Sequence, residues 1–136
     1  MFTDGRRISG GLLGAGCAGA LLVPLAVPAQ AAELDLEARM HSTTAFPNAR
    51  GHAEFENENS GNEFEISIAG VQALAGTRVI VRVHGDKVGR MTVGTLGRAH
   101  LDKHSGVPSM TAGNVVRVRT GGGRLVTSGT LHRDLD

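Results

Sequence analysis

The chain has no tryptophan and no tyrosine, and four phenylalanines are its only aromatic side chains. That excludes a carbohydrate site built on stacked rings and an aromatic platform for single-stranded nucleic acid, so no nucleic-acid partner is expected. Cys17 is the single cysteine, which excludes any intramolecular disulfide. Three signatures are missing: the G-x-S-x-G nucleophile elbow, the D-x-D-x-D-G calcium loop and a sortase-type L-P-x-T-G tail. No segment carries a convincing helical period. No catalytic residues are expected, and the chain is read as a non-enzyme.

What is present divides near residue 31. Arg6 and Arg7 precede an apolar stretch over residues 10–27, and Ala29-Gln30-Ala31 has the A-x-A form of a cleavage site. The expectation is a signal peptide over residues 1–31, removed on export, taking Cys17 with it. The apolar stretch is nearly long enough to span a bilayer, so membrane contact is expected only through an uncleaved leader. Pro24, Pro28 and the glycines within the stretch weigh against an anchor. Arg6-Arg7 lacks the bulky apolar residues of a twin-arginine signal, and the leucine of Leu13-Gly14-Ala15-Gly16-Cys17 is one place too far from the cysteine for a lipoprotein box. The product is expected to be secreted or held in the cell envelope.

Residues 32–136 read as a single all-β domain. Leu34, Leu36, Ala38 and Met40 alternate with Glu33, Asp35, Glu37 and Arg39, the pattern of a half-buried strand. Gly51, Ala53 and Phe55 form the next apolar set, and Phe64, Ile66 and Ile68 the third. Pairing Phe55 with Phe64 keeps every apolar side chain of that hairpin on one face, and a slip of one residue would split them. The same register sets Glu54 against Glu65 and Glu56 against Glu63, so this outer face calls for cations. Val79, Val81 and Val83 follow. A two-residue turn at Gly85-Asp86 would put Arg90 on the core side, so a three-residue loop over residues 85–87 is preferred, pairing Val81 with Met91 and Val79 with Val93. Further strands are expected around Ala99 and Leu101, over residues 115–119 and over residues 125–131. About seven to eight short strands between glycine-rich turns predict an antiparallel β-sandwich. A weak echo relates the hairpin beginning at Val79 to the one beginning at Val115; duplication and chance both account for it.

Charge is divided along the chain. Residues 32–75 hold eight acidic and two basic side chains, whereas residues 76–136 hold ten basic and four acidic. If the two sets adjoin, they neutralise each other within one molecule. If they point apart, the molecule is dipolar and self-association through oppositely charged faces follows, weakening with salt.

Six histidines are many for this length. His100, Asp102 and His104 are the candidate metal ligands, because imidazole and carboxylate together suit zinc or copper. Glu54, Glu56, Glu63 and Glu65, with asparagines 57, 59 and 62 beside them, are a second oxygen-rich candidate for calcium. Surface histidines and a solvated acidic face are the plain alternatives. No cofactor is expected, a divalent metal excepted. Gly121-Gly122-Gly123-Arg124 has the composition of a phosphate loop but opens no helix, and reads as a hairpin tip.

The pattern A-G-x-x-V-x-V-x-V-x-G-x-x-V-G-x-x-x-V from Ala75 to Val93, followed by V-P-x-M-x-A-G at residues 107–113 and S-G-T-L at residues 128–131, resembles small secreted bacterial all-β domains of the hypothetical exported protein type. The resemblance rests on turn glycines and core valines. It implies fold and export, and no activity or site residues. The combined expectation is an exported, non-enzymatic β-sandwich module for binding or envelope association, with an extracytoplasmic metal-binding protein as the alternative.

Overall fold

The computed structural model describes residues 33–134, and the expected leader and its cleavage site lie outside them. From Glu33 onward the chain is one compact unit. Among the described residues nine strands run in order: β1 (Leu34–Met40), β2 (Arg50–Glu58), β3 (Gly61–Ala69), β4 (Arg78–Val83), β5 (Asp86–Thr92), β6 (Ala99–Lys103), β7 (Val115–Thr120), β8 (Leu125–Thr130) and β9 (His132–Arg133). A single 3-10 turn, Gln72–Leu74, interrupts the link from β3 to β4. The strands form an antiparallel five-stranded sheet, β6-β3-β2-β1-β9, and an antiparallel four-stranded sheet, β5-β4-β7-β8.

The alternating apolar residues of both sheets meet in one core. Leu36, Ala38, Ala53, Phe55, Phe64 and Ile66 come from the five-stranded sheet, and Val79, Val81, Val116, Val118 and Val126 from the other, all buried. Two-layer packing is the way such half-apolar sheets remove their greasy faces from water. The expected β-sandwich is therefore the observed fold.

Both margins of the sandwich are tied. On one side His41 N–H donates to the Ser128 carbonyl at 2.8 Å. Beside it the buried Thr127 hydroxyl donates to the His41 carbonyl at 2.6 Å. The Thr43 hydroxyl lies 3.0 Å from the Leu125 carbonyl and 3.1 Å from that of Val126, holding the β1–β2 loop against β8. On the other side Lys103 Nζ donates to the Val88 carbonyl at 2.9 Å, joining β6 to β5. Gly89 also belongs to this margin: a Cβ there would stand 2.9 Å from Leu101 Cδ2.

The β2–β3 hairpin has the expected register, with Phe55 opposite Phe64 and Ala53 opposite Ile66. The β4–β5 hairpin does not. Val79 faces Met91 and Val81 faces Gly89, with Val83 opposite Asp86. The turn is His84-Gly85, one residue earlier than either loop expected, and both residues have positive φ, 52° and 85°. Positive φ at both central positions marks the two-residue turn whose twist matches that of its strands. β5 bulges at Val88, which has no partner across the ladder between the pairs Val81–Gly89 and Arg82–Lys87. Val88 is buried, and Arg90 falls opposite Ile80, away from the core valines. The final stretch also differs from a single closing strand. Buried Leu131 separates β8 from β9, and β9 crosses to the other sheet to pair with β1. The two hairpins of the sequence echo lie in the same sheet with β4 beside β7. The later parts of the echo differ, because Gly94 follows β5 whereas Gly129 is inside β8.

Candidate functional site: two oppositely charged sheet faces

Residues directly opposite on paired strands share a face, so the ladder registers place the charges. On the outer face of the five-stranded sheet, Asp102, Glu65, Glu54 and Glu37 stand side by side across β6, β3, β2 and β1, and His132 continues the row on β9. A parallel row holds Glu63, Glu56 and Asp35. The row on the other side is His100, Ser67, His52 and Arg39. Neighbouring strands are roughly 4.8 Å apart, so this is a dense plane of carboxylates bordered by imidazoles and one guanidinium.

Histidines are the close partners of these carboxylates. His52 Nε2 lies 3.0 Å from Glu54 and 3.6 Å from Glu37. His100 Nε2 lies 3.5 Å from Glu65, while its Nδ1 is 2.9 Å from the Ser67 hydroxyl. His104 sits between two acids, Nε2 at 2.9 Å from Asp102 and Nδ1 at 3.4 Å from Glu63. An imidazole that donates to a carboxylate on each side must carry both protons. Hydrogen bonds to Glu63 and Asp102 accordingly hold the His104 pKa above the usual histidine value. Glu56 is raised above the usual glutamate value, first by burial and then by the negative charges of Asp35, Glu58, Glu63 and Glu54.

The four-stranded sheet carries the opposite sign. Lys87, Arg82 and Arg117 form one outer row, and Arg90, Ile80 and Arg119 the next. Arg78 lies opposite Thr92 at the end of β4. Asp86 is the only carboxylate in the four strands of this sheet. Two of these arginines donate to turn carbonyls, Arg82 to Gly85 at 3.3 Å and Arg119 to Gly123 at 3.0 Å. Among the described residues other than Asp134, every close carboxylate contact of a cationic side chain is to a histidine. The arginines of the second half therefore do not neutralise the glutamates of the first. The faces diverge because the inner sides of both sheets are spent on one core, leaving their outer sides directed oppositely.

The residues expected as metal ligands are brought near one another but not to a common point. His104 contacts Asp102, whereas His100 turns to Ser67 and Glu65. Glu54, Glu56, Glu63 and Glu65 form the middle of the acidic plane as two opposed pairs. Among the described residues no group of three or more His, Cys, Asp or Glu side chains has a geometry that could hold a metal ion. Gly121-Gly122-Gly123 lies between β7 and β8, and Arg124 sits over the Phe46 ring, 5.1 Å from its centre.

A third feature went unread in the sequence. A cleft of about 870 Å³ lies at the end of the five-stranded sheet where β1, β2, β3 and the approach to β6 converge, and Arg39, Arg50 and Arg98 line it. These arginines are far apart in sequence, and only the outward parity of positions 39 and 50 hinted at a shared face. The chain matches no known protein-family profile. No curated protein matches it either.

Proposed function

We propose that this protein is an exported, non-enzymatic β-sandwich module that associates through its charged faces at the cell envelope. The carrying observation is the divergence of the acidic and basic planes with no arginine–carboxylate pairing between them. A molecule of this kind presents complementary surfaces to a second copy. The acidic face of one copy meets the basic face of the next, a heterologous contact that repeats rather than closes. Arginine forks suit carboxylate partners because two parallel N–H donors match two oxygens. Association must first offset about 4–15 kcal/mol of lost translational and rotational freedom, so face-to-face stacking is weak and strongly screened by salt.

Binding by charge is also the use to which exposed groups are best suited. The ionisable side chains of both faces are exposed or half-buried, whereas acid–base chemistry gains most from groups held in a dry, enclosed site. Sedimentation velocity on residues 33–136, whose core is self-contained, tests the reading. Species larger than a monomer are expected at about 10 mM ionic strength, where the Debye length is ~30 Å, and monomer at about 1 M, where it is ~3 Å. Monomer under both conditions would refute it.

A further inference from the structure

We infer that the cleft at the cationic end of the five-stranded sheet is a binding site for a multiply charged anion carrying at least two phosphate or carboxylate groups. This goes beyond association through the faces, and a different set of residues carries it. Three arginines and two histidines, His41 and His100, line the cleft, and no carboxylate does. That exclusion is local, because the plane of carboxylates begins one row away on the same sheet face.

The shape has a simple origin. Small residues, Ala49, Gly51, Ala69, Gly94 and Ala99, leave a depression, and long arginine side chains stand around it. Its volume of about 870 Å³ falls within the roughly 300–1,000 Å³ usual for small-ligand sites. No aromatic side chain lines it, and Met40, Ile68 and the alanines make most of its wall apolar, so the arginines and histidines supply its directional, charge-based contacts.

The donors are available. Arg50 Nη1 is engaged by the Asn48 carbonyl at 3.4 Å. Arg39 and Arg98 are exposed, and their guanidinium groups have no hydrogen-bond or ion-pair partner among the described residues. Each guanidinium offers a planar fork matching two oxygens of one phosphate or carboxylate. Arg39 is the penultimate residue of β1 and Arg98 immediately precedes β6, with β2 and β3 between those strands. Engaging both forks therefore takes an anion with more than one charged group.

Isothermal titration of residues 33–136 with tripolyphosphate, citrate and inorganic phosphate tests the assignment, run in enough salt to keep the protein monomeric. Tripolyphosphate or citrate is expected to bind one to one, about tenfold or more tighter than inorganic phosphate. The paired change Arg39→Gln and Arg98→Gln should weaken that binding about tenfold or more, or roughly 1.4 kcal/mol, with unchanged circular dichroism. The pair Arg82→Gln and Arg117→Gln, which removes the same charge from the other sheet, should leave it intact. Three results would overturn the inference: no binding of either multiply charged anion, equal binding by the Arg39/Arg98 variant, or equal loss in the Arg82/Arg117 variant. Failure of the face-stacking reading leaves these outcomes unaffected, because every titration is on the monomer.

Discussion

Replacing Glu54 by lysine should make this protein more stable. Glu54 lies directly opposite Glu37 on one neighbouring strand and Glu65 on the other. Two unit charges about 5 Å apart in water repel by roughly 0.8 kcal/mol, and cross-strand pairs measured in sheets contribute about 0.2–1 kcal/mol each. Glu54→Lys converts two repulsive pairs into two attractive ones. Against this stands the 3.0 Å contact of Glu54 with His52, an exposed contact of ~0–1 kcal/mol. The net expectation is a gain of about 1 kcal/mol, which raises Tm by roughly 4–8 °C in a domain of this size. Glu54→Gln removes the repulsion without adding attraction, so about half the gain is expected. The assay is thermal unfolding followed by circular dichroism at low protein concentration, at low salt and again at about 1 M, where screening over ~3 Å removes most of the effect. A lower Tm for Glu54→Lys at low salt, or a gain that persists at high salt, would refute the reasoning.

Three further expectations follow from the fold and its titrating groups. Phe64→Ala should cost about 3–5 kcal/mol, because Phe64 is among the largest fully buried side chains and faces Phe55 across the β2–β3 ladder; a urea midpoint near wild type would contradict this. His84→Gly should stabilise by about 0.5–1 kcal/mol, since His84 holds φ at 52°, a left-handed conformation that costs a side chain about 1–2 kcal/mol and glycine nothing, partly offset by glycine's greater freedom when unfolded; an unchanged or lower midpoint would count against it. Stability should also fall as pH rises. The folded-state pKa of His104 lies above its ordinary value, so its contribution is full below the usual histidine range and disappears as pH climbs through the raised value. Glu56 is raised as well, so its ionisation above the usual glutamate range also weakens the fold. A urea midpoint that increases from mildly acidic to mildly alkaline pH would contradict both, and His104→Gln should flatten the upper part of the profile.

Period-two burial made much of this structure legible. Leu36, Ala38 and Met40 point inward on β1 and Asp35, Glu37 and Arg39 outward, as alternation alone requires. The β2–β3 register was fixed because only one pairing keeps Phe55, Phe64 and Ile66 on one face. The β4–β5 register was not. Gly85 signalled a turn, but centring it on His84-Gly85 requires positive φ at a non-glycine residue as well, which is uncommon even though histidine tolerates it better than most. The bulge that leaves Val88 unpaired was marked only by the adjacent Gly89 within β5, an isolated strand glycine of the kind that accompanies bulges. Two-residue β9 is too short for any periodicity to reveal. Outward parity identified the charged side chains, yet whether the two sets adjoin depends on which strands share a sheet. That is decided by β7 pairing with β4 and β6 pairing with β3, long-range choices that local pattern does not encode. The arginine cleft was hidden for the same reason, since Arg39, Arg50 and Arg98 meet only after β1, β2 and β6 take their places.

Directional cross-linking addresses the central claim, that acidic and basic planes lie on opposite sides of one sandwich and fit each other between copies. Glu54→Cys marks the first plane and Arg117→Cys the second. Each is placed in residues 33–136, which contain no native cysteine. Equimolar mixing and mild oxidation at low ionic strength should give mainly the mixed disulfide, and at about 1 M salt the excess over the two like pairs should vanish. A statistical mixture of all three dimers at low ionic strength would contradict the account.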